Sequence, residues 1–366
     1  MKHLALCTPS GNAYSETFIQ AHKNIPDHKV FFYFNGQVST WLEQKGPLYT
    51  TSFFKKWKFK LLKKTFYKNF SIQEIVLIQS FQKNKIQVVL AEYGPTAVAL
   101  LKVCKKLKLP LVVHFHGFDA SVKNVLDANQ TNYLEVFHYA QSVVVVSKVM
   151  YAKLLDLGCP KEKLALNIYG PNEQFFDVKP TFSGDYFISV GRFVDKKAPY
   201  YLILAMEKVV KKHQEVKLYM GGNGPLFNVC KNMIRFYQLE KNILLLDIIK
   251  PEEYRKYLEN ALAYVPHSLT ADNGDIEGTP LAVLEASAAG LPVISTLHAG
   301  ISEVIIHEKT GFLVEEHDVT AMAHYMIQII ENKKLAQELG SKGKQNIKAH
   351  FSMNKHLGNL AQLLSK

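Results

Sequence analysis

Short apolar runs alternate with helical patterns along most of this sequence. The runs have the length and the β-branched composition of strands, and the gaps have the period of amphipathic helices. This alternation is typical of strand–helix–strand units, which build parallel sheets covered by helices on both faces. In the first half, the predicted strands are His3–Cys7, Val30–Phe34, Val88–Ala91, Leu111–Phe115 and Val143–Val146.

A loop rich in turn residues, 167–184, interrupts the alternation before it restarts. Because 366 residues exceed one ordinary core, we predict two Rossmann-like α/β domains, 1–172 and 173–345, with a helix over 346–366. Ligands of such sheets bind at the carboxyl ends of the strands, which predicts an interdomain cleft for a nucleotide-type ligand. The later strands are predicted at Phe187–Val190, Lys217–Met220, Ile243–Leu246, Ala263–Val265 and Val293–Ser295.

Composition and charge limit where such a chain works. Hydrophobic residues make up 48% and charged residues 21%, as in a folded globular protein, and no run approaches the ~20 apolar residues of a membrane span. Four scattered cysteines indicate a reducing compartment. The net charge of +12 lies almost entirely in residues 1–180. We therefore expect a cytoplasmic protein whose first half faces an anionic partner, with only peripheral membrane contact.

The segment from Asp275 to Pro292 predicts a helix with well-marked ends. Thr279 suits the N-cap, Pro280 the first helical position, and Gly290 a left-handed end, while Pro292 prevents continuation. The amides of Leu281, Ala282 and Val283 at the start would bind a phosphate.

Two glutamates flank this phosphate site. Glu277 precedes the helix, and Glu285 lies inside it among apolar residues, where an unpaired acid is costly. Gly278 lets a ligand approach the backbone closely. Carboxylates on both sides of a diphosphate would accept hydrogen bonds from hydroxyl groups at each end, which is the shape of a nucleotide sugar.

A departing diphosphate also needs cations. Arg192 is one of three arginines in the chain, and with Lys197 it follows the first strand of the second half. Acidic residues at Asp272 and Asp275 would suit a metal-dependent transferase, but the arginine–lysine pair favours a reaction without metal.

His114 and His116 flank the end of a predicted strand, where alternation places both side chains on one side. Zinc is the alternative interpretation of this pair, but no third ligand with suitable spacing accompanies it.

Residues 53–70 mix lysines with large apolar side chains. Drawn as a helix, the segment predicts either a contact with anionic lipid headgroups or a surface helix with solvated lysines. Nucleic-acid binding is disfavoured because no recognition motif accompanies the charge.

Several of these motifs together resemble the retaining family 4 glycosyltransferases, which have the GT-B fold. The resemblance rests first on Glu277 and Glu285 eight residues apart, then on Gly191-Arg192 with Lys197, where Ala198 replaces the usual glycine. The turn 220–225 is similar to the family's glycine-rich turn. Residues 15–19 are typical of members that build polysaccharides.

The resemblance also implies roles for single residues. Arg192 and Lys197 would bind the diphosphate, Glu277 the donor sugar and Glu285 the ribose, and the C-terminal helix would pack back on the first domain. His116 of the His-Gly-x-Asp motif would face the reacting sugar. The predicted catalytic residues are His116, Arg192, Lys197 and Glu277, and the predicted donor-binding residues are Gly11, Asn12, Arg192, Lys197, Asn223, Glu277, Gly278, Thr279, Pro280, Leu281 and Glu285, with no metal site.

The sequence thus predicts a retaining, metal-independent glycosyltransferase that moves a sugar from a nucleoside diphosphate to a saccharide or a lipid-linked saccharide. The alternative is a non-catalytic, membrane-associated protein that binds nucleotide sugars without turnover.

Overall fold

The computed structural model describes residues 1–11, 16–49 and 67–366, which form two compact units. Asn12 and most of the basic aromatic segment, 53–66, therefore lie outside the described residues. The chain leaves unit 1 after Asn167 and returns to it at His356. Unit 1 comprises Met1–Val146, Met150–Asn167 and His356–Lys366, and unit 2 comprises Ser147–Val149 and Ile168–Lys355.

Unit 1 is built on one sheet whose strand order is 4-3-2-1-5-6-7-8. Strands 2-1-5-6-7-8 run parallel, and two short strands continue the edge antiparallel. The central strands read as continuous apolar runs because helices cover both faces. The strands are β1 (Lys2–Cys7), β2 (His28–Phe34), β3 (Trp41–Leu42), β4 (Gly46–Pro47), β5 (Val88–Glu92), β6 (Leu111–His114), β7 (Ser142–Val145) and β8 (Leu164–Leu166).

Local sequence signals explain where several helices of the first half begin. Ser71 and Glu74 form a capping box, in which Ser71 Oγ accepts from the Glu74 amide and Glu74 Oε2 accepts from the Ser71 amide. Tyr67 and Phe70, just before this box, pack near Ile75 and Val76. The helices are α1 (Thr17–Ala21), α2 (Ile72–Lys83), α3 (Gly94–Leu107), α4 (Phe118–Ser121), α5 (Lys123–Tyr139) and α6 (Lys148–Asp156).

The sheet of unit 2 is also parallel, and one residue joins its two parts. Tyr264 makes single bridges to Ile188 and to Val293, so the order is 11-10-9, then Tyr264, then 12-13. The predicted strand Ala263–Val265 is present in place, although its bridge pairing is reduced to Tyr264. The strands are β9 (Tyr186–Val190), β10 (Lys217–Gly221), β11 (Ile243–Asp247), β12 (Val293–Thr296) and β13 (Gly311–Val314).

Helices pack around this second sheet and enclose a core that includes Phe187, Leu218, Ile294 and Met326. No helix in the described part of the chain is long and apolar enough to span a bilayer. These helices are α7 (Pro199–Val210), α8 (Phe227–Phe236), α9 (Pro251–Asn260), α10 (Leu281–Ala289), α11 (Ile301–Val304), α12 (Val319–Glu331) and α13 (Lys333–His350). The last helix, α14 (Met353–Ser365), belongs to unit 1 from His356 onward.

Candidate active site

Helix α10 begins one residue later than the sequence predicts. Pro280 is the N-cap, with an extended ψ of 120°, and its backbone rather than a side chain starts the helix. The prediction of Thr279 as N-cap is therefore wrong. Val283 donates its amide to the Pro280 carbonyl at 3.1 Å, which takes it out of the predicted phosphate-binding set and leaves the amides of Leu281 and Ala282 as the predicted pair. The predicted left-handed end at Gly290 is confirmed, with φ 93°.

Close backbone packing holds the loop before α10. Gly300 donates its amide to the Gly278 carbonyl at 3.0 Å. A Cβ atom at Gly300 would lie 2.2 Å from that carbonyl oxygen and 2.5 Å from Thr279 Oγ1, so only glycine fits there. The contact with Gly300 thus fixes the backbone of the loop at Gly278 and Thr279, where the sequence predicts donor binding.

Glu277 lies in this loop as a buried, charged acid, 6% exposed. Lys197 Nζ stands 3.1 Å from Glu277 Oε1. Burial raises the pKa of Glu277, but Lys197 and then Lys196 lower it more, to about 2. The structure therefore joins two predicted site residues in one ion pair and keeps the acid ionised.

Lys196, next to the partly buried Lys197, is itself buried, and the sequence analysis did not single it out. Its Nζ donates to Asp275 Oδ1 at 2.9 Å and to the Ile276 carbonyl at 3.2 Å. The Asp275 carboxylate, considered above as a metal ligand, thus already has a cation partner. Lys196 thus connects the loop that carries Arg192 and Lys197 to the loop that carries Asp275 and Glu277.

A histidine supports Glu277 through its backbone. The Glu277 amide donates to His298 Nε2 at 3.1 Å, and His298 Nδ1 lies 2.6 Å from Glu316 Oε1. Since Nε2 accepts, the proton of the neutral ring sits on Nδ1 and points at Glu316. The Thr270 amide in turn donates to Glu316 at 2.9 Å. No local spacing in the sequence marks His298 or Glu316 as part of the site.

The loop that carries Arg192 rests on the glycine-rich turn. Gly191 donates its amide to the Gly221 carbonyl at 2.9 Å. Gly222 has φ 132°, and a Cβ atom there would lie 1.9 Å from the Gly191 carbonyl oxygen. Arg192 itself is exposed. The backbone next to Arg192 therefore packs directly on the turn, and this contact leaves no room for a side chain at Gly222.

The side chain of Asn223 forms hydrogen bonds that hold the same turn. Its Nδ2 donates to Asp247 Oδ1 at 2.8 Å, and its Oδ1 accepts from the Gly224 amide at 2.6 Å. Ala198, which stands where the family usually has glycine, adopts a left-handed conformation with φ 36° and ψ 52°. Ala198 thus adopts a conformation that glycine reaches more readily than alanine.

Glu285 lies on α10 and differs from Glu277 in its surroundings. Burial raises the pKa of Glu285 to about 8, and among the described residues no group donates a hydrogen bond to it or pairs with it. Burial raises the pKa of Tyr254 and of Tyr264, and the negative charge of Glu285 raises both pKa values further. An acid in such a place is ready to accept hydrogen bonds from a ligand.

In unit 1, Asp119 shapes the backbone around His116. Its buried carboxylate accepts from the amides of His116 at 3.0 Å, of Gly117 at 3.1 Å and of Gly94 at 2.9 Å. The imidazole rings of His114 and His116 stack 4.4 Å apart, so both lie on the same side. Burial raises the pKa of Asp119 to about 6 against these amide bonds.

Residues distant in sequence join the two histidines. Glu92 accepts from His22 Nδ1 at 2.6 Å and from His116 Nε2 at 2.7 Å, and His22 Nε2 lies 2.9 Å from His356 Nε2. The fold thus supplies the metal-ligand groups that the local sequence lacked, His22 with His114 and His356, and Glu92 with His114 and His116.

The geometry between His22 and His356 is that of a hydrogen bond. Two ligand nitrogens of a tetrahedral zinc ion lie about 3.3 Å apart, given zinc–nitrogen bonds of about 2.05 Å. The observed 2.9 Å, with ring centroids 5.1 Å apart, fits two rings meeting head-on across one N–H···N bond.

The segment after β1 borders this cluster. Phe18 lies with its ring centroid 4.8 Å from that of His116, and Glu16 accepts from the Tyr93 hydroxyl at 2.7 Å. Gly11 packs on Phe34, whose ring would lie 2.7 Å from a Cβ atom at Gly11. Asn12, predicted to bind donor, falls outside the described residues.

Comparisons with known proteins find glycosyltransferase family models in both halves of the chain. Residues 172–346 match the model of glycosyl transferases group 1, and residues 28–166 match that of glycosyltransferase family 4. The putative colanic acid biosynthesis glycosyltransferase WcaL of Escherichia coli is 29% identical over 76% of this chain and 71% of its own. The amylovoran biosynthesis glycosyltransferase AmsK of Erwinia amylovora is 29% identical over 75% of this chain and 68% of its own.

A solved structure shows the same fold. HepE of Anabaena, determined in complex with UDP, has a TM-score of 0.80 over the full length of both chains, at 16% identity. The predicted α/β fold with two Rossmann-like domains is confirmed. Two matched family models, the glutamates that flank the start of α10 and this fold agree on one assignment, and the chain belongs to the family 4 glycosyltransferases with the GT-B fold.

Proposed function

We propose that this glycosyltransferase moves a hexose-type sugar from a nucleoside-diphosphate sugar to a hydroxyl of a saccharide or lipid-linked saccharide, with retention of configuration. One observation carries the proposal: Glu277 is held ionised by Lys197 at 3.1 Å, directly before the start of a helix. A carboxylate for sugar hydroxyls and a cation for phosphate thus stand side by side.

Similar proteins support the substrate class. The names of two relatives place them in colanic acid and amylovoran biosynthesis, and HepE was solved with UDP and with UDP-glucose. A poly(ribitol-phosphate) alpha-N-acetylglucosaminyltransferase of Staphylococcus aureus is 32% identical over 44% of this chain. A role in building a cell-surface polysaccharide or glycan follows from these likenesses.

In the proposed mechanism, the bond between the anomeric carbon and the diphosphate breaks while the acceptor oxygen bonds to the same face of that carbon. The acceptor proton passes to the departing diphosphate oxygen, so no covalent nucleophile is needed. Arg192, Lys197 and the amides of Leu281 and Ala282 stabilise the charge that develops on the leaving group. The reaction so described needs no metal ion.

The remaining residues hold the donor in place. Glu277 accepts hydrogen bonds from hydroxyls of the transferred sugar, and Glu285 accepts them from the ribose. His116 contacts the transferred sugar from unit 1. Two ribose hydroxyls at Glu285 would favour its ionised form, which burial alone disfavours.

The basic first half supports a cytoplasmic enzyme that works at the inner face of a membrane. Lysines in 53–70 would meet anionic headgroups, each adding about 1 kcal/mol near a charged surface. A lipid-linked acceptor would then be presented at that surface.

The test is turnover by purified protein with a panel of nucleotide sugars, with slow donor hydrolysis as the readout. We expect Glu277→Ala and Arg192→Ala to lower the rate at least 100-fold. Arg235→Ala and Glu240→Ala, which remove exposed side chains of the same unit, serve as matched controls and should match the parent. Donor binding without hydrolysis, or equal rates in all four variants, would refute the proposal.

A further inference from the structure

The peptide bond between Ile276 and Glu277 has both of its polar groups bound by buried side chains. Lys196 Nζ donates to the Ile276 carbonyl at 3.2 Å, and the Glu277 amide donates to His298 Nε2 at 3.1 Å. Lys196 is 7% exposed and His298 is 3% exposed. The backbone that carries the Glu277 carboxylate is therefore held on two sides before its side chain begins.

The loop after β12, which carries His298, meets the Glu277 loop a second time. The Gly300 amide donates to the Gly278 carbonyl at 3.0 Å. The two bonds thus fix the backbone on both sides of the Glu277–Gly278 peptide bond. A shift of this backbone would move the Glu277 carboxylate relative to a bound sugar, and a misplacement of about 1 Å can cost about 100-fold in rate.

The neighbours of the His298 ring determine where its proton lies. A backbone amide can only donate, so His298 Nε2 must accept from Glu277 and carries no proton. In the neutral ring the proton is then on Nδ1, which lies 2.6 Å from Glu316 Oε1. This assignment follows from the Glu277 amide alone.

Glu316 accepts two hydrogen bonds as an ionised acid. Burial raises the pKa of Glu316, but the hydrogen bonds from the Thr270 amide and then from His298 lower it more, so that it lies below its ordinary value. The Thr270 amide donates to Glu316 Oε2 at 2.9 Å, and His298 Nδ1 donates to Oε1. Both oxygens of Glu316 therefore face donors.

We propose that His298 is a positioning residue that holds the backbone of Glu277 in place for the transferred sugar, and that Glu316 keeps the proton of His298 on Nδ1 so that Nε2 can accept. This inference rests on the proposed function, because Glu277 contacts the sugar there. His298 and Glu316 act through Glu277.

Glu316→Gln keeps the shape of the side chain and turns one of its two acceptors into a donor. Thr270 and His298 both donate to Glu316, so the new NH2 group must face one of them. The Thr270 amide cannot give up its proton, whereas the His298 ring can move its proton from Nδ1 to Nε2. The NH2 group should therefore face His298, and the ring would then direct an N–H at the Glu277 amide. This donor–donor contact breaks the bond that positions Glu277.

Glu316→Ala separates this role from a merely structural one. Alanine lets His298 Nδ1 donate to water, so Nε2 stays an acceptor for the Glu277 amide. If the Glu316 side chain only filled space or joined two loops, alanine would do more harm than glutamine. The proposal predicts the opposite order of activities.

Spectra of the full chain report the tautomer directly. Long-range ¹H–¹⁵N spectra of histidine-labelled protein, with the His298 signals assigned from His298→Asn, show which ring nitrogen carries the proton. We expect the proton on Nδ1 in the parent and in Glu316→Ala, and on Nε2 in Glu316→Gln. Glu315→Gln, at the exposed neighbouring glutamate, is the matched control and should keep the parent tautomer.

Kinetics of donor hydrolysis on the same proteins report the consequence for Glu277. We expect kcat to fall about 10- to 100-fold in Glu316→Gln and less than about 5-fold in Glu316→Ala. The donor KM should stay within about 3-fold, because the contacts proposed for the diphosphate and the ribose remain. Glu315→Gln should match the parent in both constants.

The inference fails if the parent His298 carries its proton on Nε2, if Glu316→Gln leaves the tautomer unchanged, or if Glu316→Gln is at least as active as Glu316→Ala. A parent that turns over no nucleotide sugar would refute the proposed function instead. The spectra would still show whether Glu316 sets the tautomer of His298, so the two failures are distinguishable.

Discussion

Lys197→Met should destabilise unit 2 through Glu277. Methionine keeps most of the aliphatic stem and removes the ammonium group 3.1 Å from Glu277 Oε1. Both side chains are shielded, 18% and 8% exposed, so water screens the pair little. Removing one partner of such a pair leaves a buried charge without its main compensation.

The pKa of Glu277 gives the size of the expected loss in the free energy of unfolding. It falls from 4.5 to about 2 on folding, and one pKa unit corresponds to about 1.4 kcal/mol, so the depressed pKa contributes about 3 kcal/mol near neutral pH. Lys196 also attracts Glu277 and stays in the variant. We therefore expect Lys197→Met to lower the free energy of unfolding by about 2 kcal/mol at pH 7.

The sign of the pH dependence follows. A carboxyl group with a depressed folded pKa contributes stability above its unfolded pKa, and this contribution is lost as pH falls through the folded value. The difference between parent and Lys197→Met should thus be full above pH 4.5 and shrink toward pH 2.

Urea unfolding followed by far-ultraviolet circular dichroism measures this difference. Tryptophan fluorescence would not, because Trp41 and Trp57 both precede residue 146. Lys211→Met, in an exposed ion pair with Glu207, is the matched control and should cost less than about 0.5 kcal/mol. Adding Glu277→Gln to Lys197→Met should restore part of the loss. Equal losses in Lys197→Met and Lys211→Met, or a loss that stays constant on acidification, would refute the reasoning.

Four further substitutions at three positions test other parts of the site. Glu285→Gln should raise the free energy of unfolding at pH 8 by about 4 kcal/mol and not at pH 4, because the raised pKa of Glu285 costs stability as pH rises from 4.5 to about 8. It should also weaken donor binding, and urea melts at both pH values with donor titrations check both effects. Gly222→Ala should lower kcat/KM at least 10-fold and cost about 2 to 3 kcal/mol, since its Cβ would strike the Gly191 carbonyl; unchanged kinetics would contradict this. Ala198→Gly should change thermal stability by less than about 1 kcal/mol, because relief of the left-handed strain (about 1–2 kcal/mol) is offset by unfolded-chain entropy and a lost buried methyl group, whereas Ala198→Val should be clearly destabilised.

Elements with strong local signals could be predicted from the sequence. Strand β5 is buried at every residue, and its apolar run from Val88 to Ala91 identifies it without any tertiary information. Gly290 and Pro292 mark the end of α10 because few conformations suit them. The start of α10 was predicted one residue early, because both Thr279 and Pro280 satisfy the preferences of a helix N-terminus and only the backbone angles separate them.

Contacts that depend on tertiary packing could not be predicted. Lys196 and Lys197 are neighbours in sequence, yet one binds Asp275 and the other Glu277, and nothing local assigns them. His22 and His356 are 334 residues apart and meet only because unit 1 includes both. Glu92 gave the one available signal, an acid that ends a buried strand at the edge of the sheet where ligands bind.

The return of His356–Lys366 to unit 1 has a consequence for biosynthesis. A ribosome adding 5–20 residues per second needs about 10 to 40 s to proceed from residue 167 to residue 366. During that interval the nascent unit 1 lacks the helix that buries Leu357, Leu360 and Leu364, although unit 2 is being completed. The first-made half is therefore the last to mature, and its uncovered apolar surface is the natural place for a chaperone to bind meanwhile.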